Sequence, residues 1–180
     1  MQKRRLPDLL TAGRIMVALA IVGLIPAGPR ALGSVAVLLL LGWTTDMFDG
    51  RLARRLDKEP SWIGEHEFQI DMLMVLSSAV FLVATGLVPT GLGLGYLAVA
   101  VPLATFAHSR FEDYYRFKTL TMLLAVPWVF APFVVAYFHQ RPVAYVGLVW
   151  GVLALAADWR RFTGVVGDFL AGARGFLRRS

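Results

Sequence analysis

Between positions 72 and 109 the chain runs for 38 residues without one Asp, Glu, Lys or Arg. About 20 apolar residues in a helix cross the hydrocarbon of a bilayer. This run is therefore long enough for two crossings, and Val88-Pro89-Thr90-Gly91 supplies a turn between them. Shorter charge-free runs cover 15–29, 31–45, 119–140 and 142–157. Counting Gly and leaving out Tyr, about 64% of the 180 residues are apolar, against about 45–50% in an ordinary soluble domain. A soluble domain of this size has too little interior to hide that much apolar surface, and disorder needs the opposite composition. The expectation is an all-α integral membrane protein with six transmembrane helices near 9–26, 31–52, 66–86, 91–109, 116–138 and 143–159. A short interfacial segment over 1–11 leads into the first helix. A membrane domain thus spans 1–159, and a basic amphipathic tail that could lie on the membrane surface spans 160–180.

The basic residues give the orientation. With both termini on the cytoplasmic side, 16 of the 18 Lys and Arg residues fall on that side, Arg14 among them near the start of the first helix, and only Arg30 and Arg141 fall opposite. This satisfies the positive-inside rule. The formal charge of +6 is then mostly topological, and a nucleic-acid partner is not called for. The expected location is the plasma (cytoplasmic) membrane, multi-pass. The chain has no Cys, which excludes disulfides, thiolate nucleophiles and zinc–thiolate sites.

Seven of the twelve acidic residues crowd into positions 46–71: Asp46, Asp49, Asp57, Glu59, Glu65, Glu67 and Asp71. Asp46 and Asp49 stand at i,i+3 where the second helix ends, and Glu67 and Asp71 stand at i,i+4 where the third begins. Each pair shares a helix face. A short basic connection joins the two helices, so four carboxylates can converge near the cytoplasmic surface. Like charges that close do not all stay ionised without cations. Oxygen-only ligands favour Mg²⁺ or Mn²⁺ over zinc, and a pair of such ions could clamp a diphosphate. Gly50 permits close approach of a ligand to the backbone. Arg51, Arg54, Arg55 and Lys58 offer partners to phosphate. The plain alternative is the solvated boundary of a span, but Asp46 and Asp71 lie inside apolar segments where ionisable groups are costly.

These residues also carry a family resemblance. Asp46-x-x-Asp49-Gly50-x-x-Ala53-Arg54, followed by Glu67-x-x-x-Asp71, resembles the signature of the CDP-alcohol phosphatidyltransferase family, Asp-x-x-Asp-Gly-x-x-Ala-Arg, eight residues, Gly-x-x-x-Asp-x-x-x-Asp. The first half matches at every defined position. In the second half Ile63 replaces the Gly, with Gly64 one place later, and Glu67 replaces the third Asp. Leu6-Pro7-Asp8-Leu9-Leu10-Thr11-x-x-Arg14 is similar to the family's N-terminal entry, and Lys118-Thr119 to a Lys-Thr of its glycerophosphate-type members. The resemblance implies six helices and a homodimer. It implies two metal ions on Asp46, Asp49, Glu67 and Asp71, with Asp71 also the general base. It implies CDP binding by Asp46, Asp49, Gly50, Ala53 and Arg54. The implied reaction moves a phosphatidyl group from a CDP-linked lipid to an acceptor hydroxyl and releases CMP, in phospholipid biosynthesis.

Other residues carry weaker readings. Arg110, Glu112, Asp113, Arg116 and Lys118 form a second polar cluster. Arg110 and Lys118 are the candidates to hold an anionic acceptor, beside the plainer reading of a positive-inside loop. His66 among the carboxylates and His108 in the fourth helix are boundary residues as readily as ligands. Gly91 and Gly95 suit close helix packing, and Trp43, Trp62, Trp128 and Trp150 suit interfaces or packing. Two alternatives stand beside the transferase. One is a weakened or inactive family member that binds CDP-lipid; the other is a divalent-cation carrier, against which the acids cluster at one membrane face only.

Overall fold

The computed structural model describes residues 6–55, 66–110 and 114–177, with the side chains at 6–8, 49–55, 108, 114, 161 and 175–177 outside that description. Among the described residues seven α-helices follow in order: α1 Leu6–Gly23, α2 Leu32–Arg55, α3 Glu67–Ala84, α4 Thr90–Arg110, α5 Tyr114–His139, α6 Arg141–Ala157 and α7 Trp159–Leu177. Helices α1–α6 stand where the six spans were expected, each end within about three residues. Residues 57–65, which include Ile63 and three of the clustered acids, lie outside the described residues. From Leu6 onward the expected interfacial segment is the first part of α1, which runs unbroken through Thr11. The tail is mostly a seventh helix.

Backbone chemistry sets the breaks. A 3-10 turn over Ile25–Ala31 joins α1 to α2, where Pro26, Pro29 and Gly28 at φ +67° interrupt the α pattern. Between α3 and α4 the turn rests on Gly86 at φ +73°, a few residues before the Val-Pro signal, so α4 already starts at Thr90.

Among the described residues four helical stretches are long and apolar enough to cross a membrane: Ile25–Phe48, Glu67–Ala84, Thr90–Ala107 and Tyr115–His139. A fifth results if α6 and the following helix, bent by 89°, count as one span. The apolar stretch of α1, Leu9–Gly23, falls short of that length. The chain is therefore an all-α, multi-spanning membrane protein with four or five such helices. Exposed Leu92, Val99, Phe130, Phe138, Leu148 and Leu153 agree with this, since lipid tails accept apolar side chains that water would reject.

Inside a bilayer helices gain little from hiding apolar surface, and close packing holds them together. The core centres on Ile21, Leu32, Val35, Leu39, Ala79, Phe81 and Leu82. α1 packs against both α2 and α3, while α5 packs against α2, α3, α4, α6 and α7. Small residues set the tightest crossings. A Cβ on Gly42 would stand 2.6 Å from Sδ of Met74, and one on Gly93 would run into a methyl of Val83. The helix-packing glycine of α4 is thus Gly93. Gly91 and Gly95, expected in that role, both face open space, because they lie on the side of α4 away from α3. Trp43 stacks between Phe133 and Trp150, each with ring centroids at 5.6 Å. The Trp150 indole donates to Thr44 Oγ1 at 2.9 Å, which ties α6 to the part of α2 just before Asp46.

Candidate functional site

One cation organises the charged end of the bundle. Arg14 on α1 has a side chain with no solvent exposure, yet it carries a permanent charge. Its Nη1 donates to Asp46 Oδ1 of α2 at 3.0 Å and to Asp71 Oδ1 of α3. Its Nη2 donates to Thr11 Oγ1 at 3.1 Å, one helical turn earlier, and stands 3.6 Å from Glu67 Oε1. Three carboxylates from two helices therefore meet one guanidinium from a third. A planar fork with five donors is suited to this task, whereas an ammonium is a point charge. The carboxylates are about a fifth to two-fifths exposed. The cluster is thus a cup of oxygens with its cation at the closed end.

Local sequence explains the convergence. Glu67 opens α3 and Asp71 follows one turn later, so both project from one face near the helix start. A carboxylate in the first turn also faces the positive end of the helix dipole. Asp46 lies within α2, about two and a half turns from its end at Arg55. α1 lies against both helices and brings Arg14 between them.

Asp46, Glu67 and Asp71, expected together, are brought together. Asp49, Gly50, Ala53 and Arg54 lie on the last turns of α2, with side chains outside the described set. His66 precedes α3 as its N-cap residue, while the His108 side chain, Glu112 and Asp113 lie outside the described residues. Arg110 is exposed and rests its guanidinium over Phe106, 5.7 Å from the ring centroid. Lys118 forms an ion pair with Asp168 of α7 at 3.0 Å.

Arg14 is the residue whose partners sequence reasoning missed: it stood there as a topological charge and as the end of the family-like N-terminal segment, with no carboxylate assigned to it. A signal was present: an Arg within an apolar helix needs a carboxylate partner, and Asp46, Glu67 and Asp71 all lie within the candidate spans Ile25–Phe48 and Glu67–Ala84.

The fit of a metal can be judged by the donors. Asp46, Glu67 and Asp71 offer oxygen alone, which suits hard divalent ions, and Arg14 supplies only one positive charge to the three. Among the described residues no three acidic or histidine side chains are arranged to hold an ion; the Asp49 carboxylate falls outside them. The donor chemistry fits Mg²⁺ or Mn²⁺.

Beside the cup, a cavity of about 810 Å³ lies between α2, α5, α6 and α7. Asp46 and Asp158 are its charged residues, and Trp43, Phe130, Leu148 and Leu155 typify its walls. An apolar groove with a carboxylate at its end is the shape expected for an amphipathic ligand.

A family model described as CDP-alcohol phosphatidyltransferase matches residues 4–157. The chain belongs to that family, and the match takes in α1–α6 with Arg14, Asp46, Glu67 and Asp71. No curated protein and no solved structure gives a significant match.

Proposed function

We propose that the protein transfers a phosphatidyl or related phospho-alcohol group from a CDP-alcohol, such as CDP-diacylglycerol, to an acceptor hydroxyl and releases CMP, as a step of phospholipid biosynthesis. The observation that carries this reading is the meeting of Asp46, Glu67 and Asp71 on buried Arg14, within the stretch that the family match covers. In this reading the chain crosses the plasma membrane six times, works as a homodimer, and turns its carboxylates to the cytoplasm.

Asp46, Asp49, Glu67 and Asp71 would hold two Mg²⁺ or Mn²⁺ ions. Such ions, when bound, supply charge neutralisation for the diphosphate and the departing CMP. Asp71 accepts the proton of the acceptor hydroxyl. That oxygen bonds to the phosphorus on the lipid side of the diphosphate, and the bond from this phosphorus to the bridging oxygen of CMP breaks. Gly50 and Ala53 leave room for the nucleotide, and Arg54 meets phosphate. Arg14 orients the carboxylates from behind. The groove that begins at Asp46 suits the lipid tails. Arg110 and Lys118 are proposed for an anionic acceptor, and Lys118 would exchange Asp168 for it.

Purified protein with Mn²⁺ or Mg²⁺, CDP-diacylglycerol and a panel of hydroxyl acceptors should release CMP. Asp71→Asn should abolish the release while leaving the protein folded. No release across the panel would sink the catalytic reading. A second reading, a family member that binds CDP-lipid without turnover, is favoured by Glu67 in place of Asp and by the grip of Arg14 on all three acids. Thermal stabilisation by CDP-diacylglycerol without CMP release would establish it.

A further inference from the structure

α7 is a helix with two occupied faces and one open one. It follows α6 across a bend of 89°, so it leaves the direction of the preceding helix and runs across it. One face docks on the start of α5. There Asp168 pairs with Lys118 at 3.0 Å, and Thr119 Oγ1 donates to the Phe169 carbonyl at 3.3 Å. Gly172 lies so close that a Cβ would stand 2.6 Å from the Tyr115 carbonyl oxygen. Val165 lines the large groove, and Phe162, at the edge of the open face, borders it too. A different face is apolar and open. Trp159, Phe162, Val166 and Leu170 are 60%, 42%, 38% and 46% exposed. At about 100° per residue these four fall within an arc of about 80°.

Charge says what covers that stripe. Arg160 and Arg174 are exposed beside it, and Arg161, Arg178 and Arg179 add to the basic set of this segment. Its one acid, Asp168, is engaged with Lys118 on the docked face. Long basic side chains flanking an apolar stripe reach to lipid phosphates while the stripe enters the acyl boundary. The start of α5 lies at the carboxylate end of the bundle, where Phe68 of α3 meets Phe117 edge-on with ring centroids at 5.7 Å. The stripe therefore lies at the membrane face that carries the site.

We propose that α7 is an interfacial strap whose partner is an anionic leaflet: Trp159, Phe162, Val166 and Leu170 enter the lipid surface, Arg160 and Arg174 bind lipid phosphate, and the opposite face clasps the entry of α5. The proposal does not depend on catalysis.

The absence of Cys makes the test clean. Val166→Cys in the full chain is labelled with an environment-sensitive fluorophore and placed in nanodiscs. One set contains phosphatidylcholine with phosphatidylglycerol, the other phosphatidylcholine alone, both with a trace of lipid carrying a quencher below the headgroup. Strong quenching in the anionic discs and weak quenching in the neutral ones is the expected result. Arg160→Gln with Arg174→Gln should shift the ratio of inserted to withdrawn label in anionic discs by roughly thirtyfold, at about a kcal/mol per basic residue. Equal quenching in both disc types would overturn the role of charge. Absence of quenching in both, as when a second copy covers the stripe, would overturn the proposal altogether. Hydrogen exchange over 159–177 in the unlabelled, unmutated chain tests the same strap without substitution: protection should rise with phosphatidylglycerol, and unchanged protection would count against the strap.

Discussion

Arg14 and Lys118 begin as equals in the sequence, two basic residues near the same face of the membrane. The fold separates them. Arg14 loses all exposure and faces three carboxylates from two helices, whereas Lys118 keeps a fifth of its exposure and meets one carboxylate that is itself two-fifths exposed. A charge without water is held by its partners, and its partners are held by it. A charge near water exchanges partners at little cost. The first arrangement suits a fixed framework for a reaction centre, the second a clasp between two elements.

The largest effect is therefore expected at Arg14. Arg14→Met leaves Asp46, Glu67 and Asp71 crowded without their cation, and breaking a buried ion network by removing one partner costs about 3–5 kcal/mol. Thermal unfolding in detergent should show a large drop in midpoint. Arg14→Lys should recover part of it, because one ammonium cannot reproduce the fork that reaches Thr11, Asp46, Glu67 and Asp71 together. If Arg14→Met unfolds like the parent protein, the contrast with Lys118 is wrong.

This contrast also marks how far the sequence could be read. The helices were legible because bilayer thickness sets their length and charged residues mark their ends; the places of α1 to α6 follow from that, while four or five helices have the length and apolarity to cross. The carboxylate pairs were legible because i,i+3 and i,i+4 spacings are local. Arg14 was only half legible: its apolar surroundings demanded a partner, but the approach of α1 to α2 and α3 is a tertiary fact. The pairing of Lys118 with Asp168 spans 50 residues and has no local signal. The same holds for Gly93, which packs on Val83, against Gly91 and Gly95, which pack on nothing within 4 Å. The spacing of three glycines cannot say which one turns inward.

The clasp offers the next test, through shape instead of charge. A side chain at 172 would meet the Tyr115 carbonyl, which is fixed in the α5 backbone, and the Thr119 hydroxyl. Gly172→Val should therefore part α7 from α5, with a cost of about 1–3 kcal/mol as for other overpacked contacts. Gly167 on the same helix has nothing within 4 Å of an added Cβ, so Gly167→Ala should be neutral or slightly stabilising. Proteolytic release of the C-terminal segment would report both. Equal behaviour of the two variants would mean that α7 is not seated on α5 through Gly172.

The smallest effect is expected from the Lys118–Asp168 pair. Both groups keep some contact with water, so screening and side-chain entropy offset most of the attraction, and such pairs contribute about 0.2–1 kcal/mol. A double-mutant cycle with Lys118→Met and Asp168→Asn should return a coupling in that range. It should shrink as salt rises, since the Debye length falls from about 10 Å at 0.1 M to about 3 Å at 1 M. The thermal midpoint of Arg14→Met relative to parent should change far less over the same salt range, because its network is closed to solvent on the side of the guanidinium. A coupling at Lys118–Asp168 as large as the loss at Arg14 would show that the clasp is a second buried network and not an exchangeable contact. It would also make the exchange of Asp168 for an anionic acceptor too costly to occur during turnover.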